Sequence, residues 1–135
     1  MNVLLDTNVW LAVLSRRGFC RRLWRRIKKG CVTFSGDWIV GEVEEKMQSK
    51  FRATARVAAK YAGYVRNATQ HVALTSDPPK ICRDPDDDAV LALAVEASCE
   101  FIVTGDKDLL ALDGHEGIRI MTPRAFADLQ GWQAE

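Results

Sequence analysis

Met1-Asn2-Val3-Leu4-Leu5-Asp6-Thr7-Asn8 opens the chain and decides how the rest is read. The apolar run Val3–Leu5 stops at an acid followed by two small polar residues. A short apolar run with polar bounds predicts a buried strand. That places Asp6 at the carboxyl end of a buried strand, where an ionised carboxylate must be paired, hydrogen-bonded or held on a metal. Asp6 is therefore the first candidate member of a site.

Working outward, helical and strand patterns alternate. Asn8–Ser15 predicts a helix, and Gly18 breaks it. In Phe19–Lys29 the residues Cys20, Leu23, Trp24 and Ile27 fall at i, i+3, i+4 and i+7, the spacing of a core-facing stripe. Gly30 is a good stop. Val32–Ser35 predicts a second strand. Ser35 or Asp37 is expected to cap the next helix, which runs to about Lys50 with Ile39, Val40, Val43 and Met47 along one stripe. Ala53–Val65 predicts a further helix with Val57, Tyr61 and Tyr64 on one side. Val72–Leu74 predicts a short strand, and Asp77-Pro78-Pro79 a loop.

Asp84-Pro85 marks a helix start, with an N-cap acid and proline in the first turn. Asp86, Asp87 and Asp88 follow, then the apolar run from Ala89 to Ala97. Phe101-Ile102-Val103 predicts a buried strand ending in Thr104-Gly105-Asp106, with a short helix through Leu112. Ile118–Met121 predicts the last strand, and Thr122 caps a final helix from Pro123. This alternation predicts an α/β sandwich with a mostly parallel sheet, residues 1–135 forming one domain.

Composition narrows the class. Hydrophobic residues make up 47% and charged residues 27%, the balance of a soluble globular chain. No aliphatic and aromatic run, Val9–Leu14 and Ala89–Val95 included, is long enough to span a bilayer, and the N-terminus lacks an export pattern. Cys20, Cys31, Cys82 and Cys99 form no C-x-x-C pair, and with two histidines they argue against zinc. They read as reduced, mostly buried thiols of a cytoplasmic protein.

The net charge of +1 conceals an asymmetry. Residues 7–36 hold no acid but eight basic side chains, among them Arg17, Arg21, Arg22 and Arg25, candidate contacts for a polyanion. Residues 77–116 hold eleven acids against three bases. In parallel sheets, sites form outside the carboxyl ends of the strands. If the strands ending at Asp6 and Asp106 are both central, these acids emerge on one edge, and the acids before Ala89 reach it too. Clustered carboxylates repel unless a cation lies between them. Oxygen-only ligands favour Mg²⁺ or Mn²⁺, which can activate water at a phosphodiester.

Leu4-Leu5-Asp6-Thr7-Asn8-Val9 resembles the opening of the PIN-domain ribonucleases. Asp84-Pro85-x-Asp87 with Val90-Leu91-x-Leu93-Ala94, and then Ile102-Val103-Thr104-Gly105-Asp106-Lys107-Asp108-Leu109-Leu110, are similar to the rest of that pattern. The resemblance spans essentially the full chain and is closest to the VapC-like toxins of bacterial toxin–antitoxin systems. It implies a three-layer α/β/α sandwich and metal-dependent endoribonuclease activity. It also implies a homodimer, and inhibition by a cognate antitoxin. It assigns the metal-binding, catalytic acids to Asp6, Asp87, Asp106 and, through Ile39-x-x-Glu42, Glu42. Asp88 is the alternative to Asp87, and Glu45 to Glu42. Asn8 and Thr104 match positions that orient the carboxylates.

Blander readings accompany these. Asp84, Asp106 and Asp108 suit helix N-termini, the Glu42–Glu45 cluster suits a solvated face, and the arginines suit the polar side of an amphipathic helix. Two rival functions remain. One is an Mg²⁺-dependent phosphatase or phosphotransferase with Asp6 as nucleophile, against which Asn8 stands where a second acid is expected. The other is a non-catalytic RNA- or partner-binding module on the same fold.

Overall fold

The computed structural model describes residues 1–75 and 77–132. Its six-stranded sheet comprises β1 (Asn2–Leu5), β2 (Val32–Ser35), β3 (Gln70–His71), β4 (Phe101–Val103), β5 (Gly114–His115) and β6 (Ile118–Met121). The spatial order is β3-β2-β1-β4-β6-β5, parallel throughout except for the antiparallel β5–β6 pair. The connecting helices are α1 (Thr7–Ser15), α2 (Phe19–Gly30), α3 (Asp37–Ser49), α4 (Ala55–Ala68), α5 (Pro85–Glu96), α6 (Lys107–Leu112) and α7 (Pro123–Gln130). They flank the sheet as the outer layers of an α/β/α sandwich.

The order fixes where a site can form. From β1 the chain winds outward through β2 and β3, then returns to lay β4 on the other side of β1. The strand order reverses between β1 and β4, and the crevice at such a reversal is where open α/β sheets bind ligands. Leu5 is in register with Val103, so Asp6 and Thr104 leave the sheet side by side.

The core explains the central strands. Val3, Leu4, Leu5, Ile102 and Val103 have no exposed surface, as expected of parallel strands covered on both faces. Trp10 of α1 packs edge-on against Trp24 of α2 at 4.7 Å between centroids. Leu23, Trp24 and Ile27 face inward as their spacing predicts. Phe101, Phe126 and Trp132 form a second aromatic cluster.

Four local expectations are corrected. The edge strand is Gln70–His71 rather than Val72–Leu74: β2 ends at Ser35 and turns into α3, leaving Val72 one last bond to the Ser35 carbonyl. Neither Ser35 nor Asp37 caps α3, whose N-cap is Gly36. The Ser35 hydroxyl is 2.6 Å from that of Thr69, and Asp37 faces Arg66 and His71. A side chain on Gly36 would meet Leu93 and the Val72 carbonyl at 2.6 and 2.8 Å, so the close approach requires glycine. On α4 the buried side is Ala58, Ala62 and Val65, while Val57 and Tyr64 are exposed. Small residues let α4 lie close on α3, and Tyr64 instead accepts a 2.8 Å bond from the Trp24 indole. Finally, only Cys99 of the four free thiols is buried; the others are half-buried.

The antiparallel strand β5 was not foreseen. It is made by a tight turn at Glu116 (φ +48°) and Gly117 (φ +82°), both left-handed as two-residue hairpins require.

Candidate active site

Four segments converge beyond the carboxyl edge of β1 and β4. Asp6, Thr7, Asn8 and Leu11 from α1, Glu42, Lys46 and Lys50 from α3, Asp84, Asp86, Asp87 and Val90 at the start of α5, and Asp106 line one cleft of about 180 Å³. All four expected acids are therefore brought together.

Asp6 is held most firmly. Its backbone N–H continues the sheet to the Val103 carbonyl, and its side chain caps α1 by accepting from Thr7 N at 2.8 Å. The other oxygen, Oδ2, accepts from the Thr104 hydroxyl at 2.7 Å and from Asn8 Nδ2 at 3.1 Å. Thr104 is fully buried, and its Oγ1 also accepts from Asp106 N at 2.9 Å. Asn8 Oδ1 accepts from Gly105 N at 2.9 Å, so the amide ties the two strand ends together. Burial pushes the Asp6 carboxyl up. The bonds from Thr104, Thr7 and Asn8 oppose that rise, and the charge of Asp106 adds to it.

Asp84 caps α5 by accepting from Asp86 N at 2.9 Å, which starts the helix so that Asp87 turns inward. Asp87 is only 4% exposed, and its Oδ2 is buried with no hydrogen-bond partner. Burial first, and then the adjoining Asp106 carboxyl, push it up to about 7. Asp88 points elsewhere: its Oδ1 accepts from Cys82 N at 2.7 Å and Ile81 N at 3.0 Å, which hold it below the usual carboxylate range. Of the two adjacent acids, Asp87 lines the cleft and Asp88 anchors the preceding loop.

Glu42 accepts from the Thr7 hydroxyl at 2.7 Å. Burial raises its carboxyl, and Asp86 on the facing helix raises it further. Glu45 lies outside the cleft, 4.0 Å from Lys46.

The tightest acidic group is not the expected four. Asp87, Asp106 and Asp108 each offer an oxygen within 4.8 Å of the others. Asp108, read from sequence as first-turn electrostatics, joins because the Asp106 side chain caps α6 by accepting from Asp108 N at 2.8 Å, which folds the two acids together. Arg83 donates to both Asp108 oxygens at 2.9 and 3.1 Å. Asp6 and Glu42 line the same cleft outside that close group. The i, i+2 spacing of Asp106 and Asp108 at a helix start was the available signal for Asp108. For Lys46 and Lys50 it was their i+4 and i+8 spacing from Glu42.

The residues fit a hard divalent cation. Asp87 carries an orphaned, buried carboxylate oxygen and lies beside two further carboxylates, and the ligand set is oxygen only.

The arginines are elsewhere. Arg17, Arg21, Arg22 and Arg25 line a separate open groove around Gly18. Arg21 is committed there: Nε donates to the Val13 carbonyl at 3.0 Å and Nη2 to that of Leu14 at 3.2 Å, closing the end of α1.

Residues 2–108 match the family model described as PIN domain, and the chain belongs to that family. Two solved structures have the same fold. One is VapBC2 from Rickettsia felis bound to a promoter DNA fragment, 8% identical, with TM-score 0.67 over 89% of this chain and 97% of that one. The other is VapC20 of Mycobacterium tuberculosis, a toxin that cleaves the sarcin–ricin loop, 19% identical, with TM-score 0.63 over 87% and 98%. No curated protein sequence matches. Among the described residues no helix is long and apolar enough to cross a membrane.

Proposed function

We propose that the chain is a divalent-metal-dependent endoribonuclease, the toxin of a toxin–antitoxin pair. The observation that carries this reading is the cleft itself: carboxylates from four segments meet at the sheet's switch point, and one buried oxygen has no partner. Membership of the PIN family and the shared fold with two VapC-containing structures support it.

Asp87, Asp106 and Asp6, with Glu42 across the cleft, would hold Mg²⁺ or Mn²⁺. When bound, such an ion supplies an acidified water and neutralises charge on the phosphoryl group. The chain's own part is positional. Thr104 and Asn8 fix Asp6, Thr7 fixes Glu42, and the capping bond of Asp106 fixes its carboxylate. Raised carboxyl groups at Asp6, Glu42 and Asp87 mean that protons compete with the cation at low pH.

Asn8, which stands where a phosphatase with this opening carries a second acid, weighs against Asp6 as a phosphoryl acceptor. The arginine groove is the candidate for distant RNA backbone contacts. A homodimer, a cognate antitoxin over the cleft and a cytoplasmic setting complete the proposal.

The test is incubation of purified protein with mixed RNA, with chelator, Mg²⁺ or Mn²⁺, beside Asp6→Asn. Metal-dependent cleavage lost in the variant supports the reading. Binding without cleavage in either metal supports a non-catalytic module instead.

A further inference from the structure

The cleft is not lined by acids alone. Lys46 stands on α3 one turn beyond Glu42, and Lys50, the C-cap of that helix, two turns beyond it; both line the cleft. At 1.5 Å of rise per residue their Cα atoms lie about 6 and 12 Å from that of Glu42 along the helix axis. Lysines bordering so many carboxylates have every reason to fold onto them. Among the described residues they do not: Lys46 makes only a 4.0 Å approach to Glu45, which points away from the cleft, and Lys50 is exposed without an ion pair. The ammonium groups thus remain available at the lip, in line with the acids.

We propose that Lys46 and Lys50 form a rail for the phosphates of a single-stranded RNA, leading its backbone along α3 into the acid centre. This rests on the nuclease reading above. The chemistry suits the division of labour. Carboxylates and their cation take the phosphate to be cut, and they repel every other phosphate, so neighbouring phosphates need separate positive charge. An ammonium on a flexible stem serves as a point charge that tolerates any base sequence. The helix spaces the two charges along a line, as a strand entering an active centre needs. The arginine groove cannot do this near the cleft. Arg17 follows the far end of α1, whose nine residues span about 14 Å from Asp6.

The experiment uses a short fluorescein-labelled single-stranded RNA of mixed sequence. Its binding by fluorescence anisotropy is followed against salt in Mg²⁺, in an Asp6→Asn background that blocks cleavage. Cleavage kinetics are measured in the native background. Each lost phosphate contact lowers the slope of log affinity against log salt by about 0.7 for single strands, so Lys46→Gln/Lys50→Gln should lose about 1.4. Near 0.15 M salt that corresponds to a rise in KM of roughly tenfold, with kcat little changed. Lys46→Arg/Lys50→Arg should keep the slope, and Lys60→Gln on α4 should leave slope and KM unaltered. An unchanged slope and KM in the glutamine pair overturns the rail. A lowered slope in a protein that cleaves no RNA in either metal leaves the rail standing and removes the nuclease reading.

Discussion

Replacing Thr104 by valine probes the part of the site that the fold builds most deliberately. The hydroxyl does two things at once: it donates to Asp6 Oδ2 at 2.7 Å and accepts from Asp106 N at 2.9 Å. Valine keeps the shape and removes both. A hydrogen bond to a charged group contributes about 1.5–3 kcal/mol, and a donor left without a partner costs about 1–3. The two share one atom and do not add fully, so the expected loss is about 2–4 kcal/mol. Against a total stability of about 5–15 kcal/mol this is a large fraction, and the melting midpoint should fall by roughly 10 °C. Urea unfolding in chelator at neutral pH measures it. Thr104→Ser is the control, since it keeps the hydroxyl and loses one methyl, worth about 1 kcal/mol. Because Thr104 holds the Asp6 carboxyl down, Thr104→Val should also move the acid limb of the cleavage profile to higher pH. If valine destabilises no more than serine, or leaves the acid limb in place, the hydroxyl does not organise the site.

Other consequences follow from the same geometry. Asp87 is pushed up to about 7 in the folded chain, against roughly 4 when unfolded, so the folded state holds this proton more tightly. The stability it contributes is full below about pH 4 and is lost as pH rises through about 7. Melting midpoints in chelator should therefore fall across that window. Mg²⁺ should restore them at pH 8, and Asp87→Asn should flatten the profile; a metal-insensitive midpoint at pH 8 would count against the site. Asp88→Ala should lower the melting midpoint, because Ile81 N and Cys82 N lose their acceptor, whereas Asp87→Asn in chelator should raise it. Glu42→Gln should reduce cleavage far more than Glu45→Gln; equal effects would mean that α3 presents another face to the substrate. Arg21→Ala should cost about 1–3 kcal/mol in urea unfolding, while exposed Arg22→Ala costs under about 0.5, since only Arg21 closes the end of α1.

Much of this fold is legible because the central strands carry unbroken apolar runs that end in polar residues. Val3–Leu5 before Asp6 and Phe101–Val103 before Thr104 announce both the strands and the edge where the site forms. Edge elements are less legible. Gln70–His71 pairs only because β2 is short, a tertiary fact that outweighs the β-propensity of Val72–Leu74. The buried side of α4 was hidden because Ala58 and Ala62 carry a weak hydrophobic signal, yet close packing on α3 selects them over Val57 and Tyr64. In the site, Asp87 and Asp88 are indistinguishable by composition. Their roles separate only when the loop before α5 turns the Ile81 and Cys82 amides toward Asp88. Asp108 was undervalued because helix starts favour acids for ordinary reasons, and its approach to Asp87 depends on how α5 and α6 meet in space.

Whether the cleft holds a divalent cation is decided by calorimetric titration of chelator-stripped protein with Mn²⁺. The expected result is saturable binding to the native chain that weakens at least tenfold, about 1.4 kcal/mol, in Asp87→Asn and in Asp106→Asn. No binding to the native chain, or equal affinity in all three proteins, would contradict it.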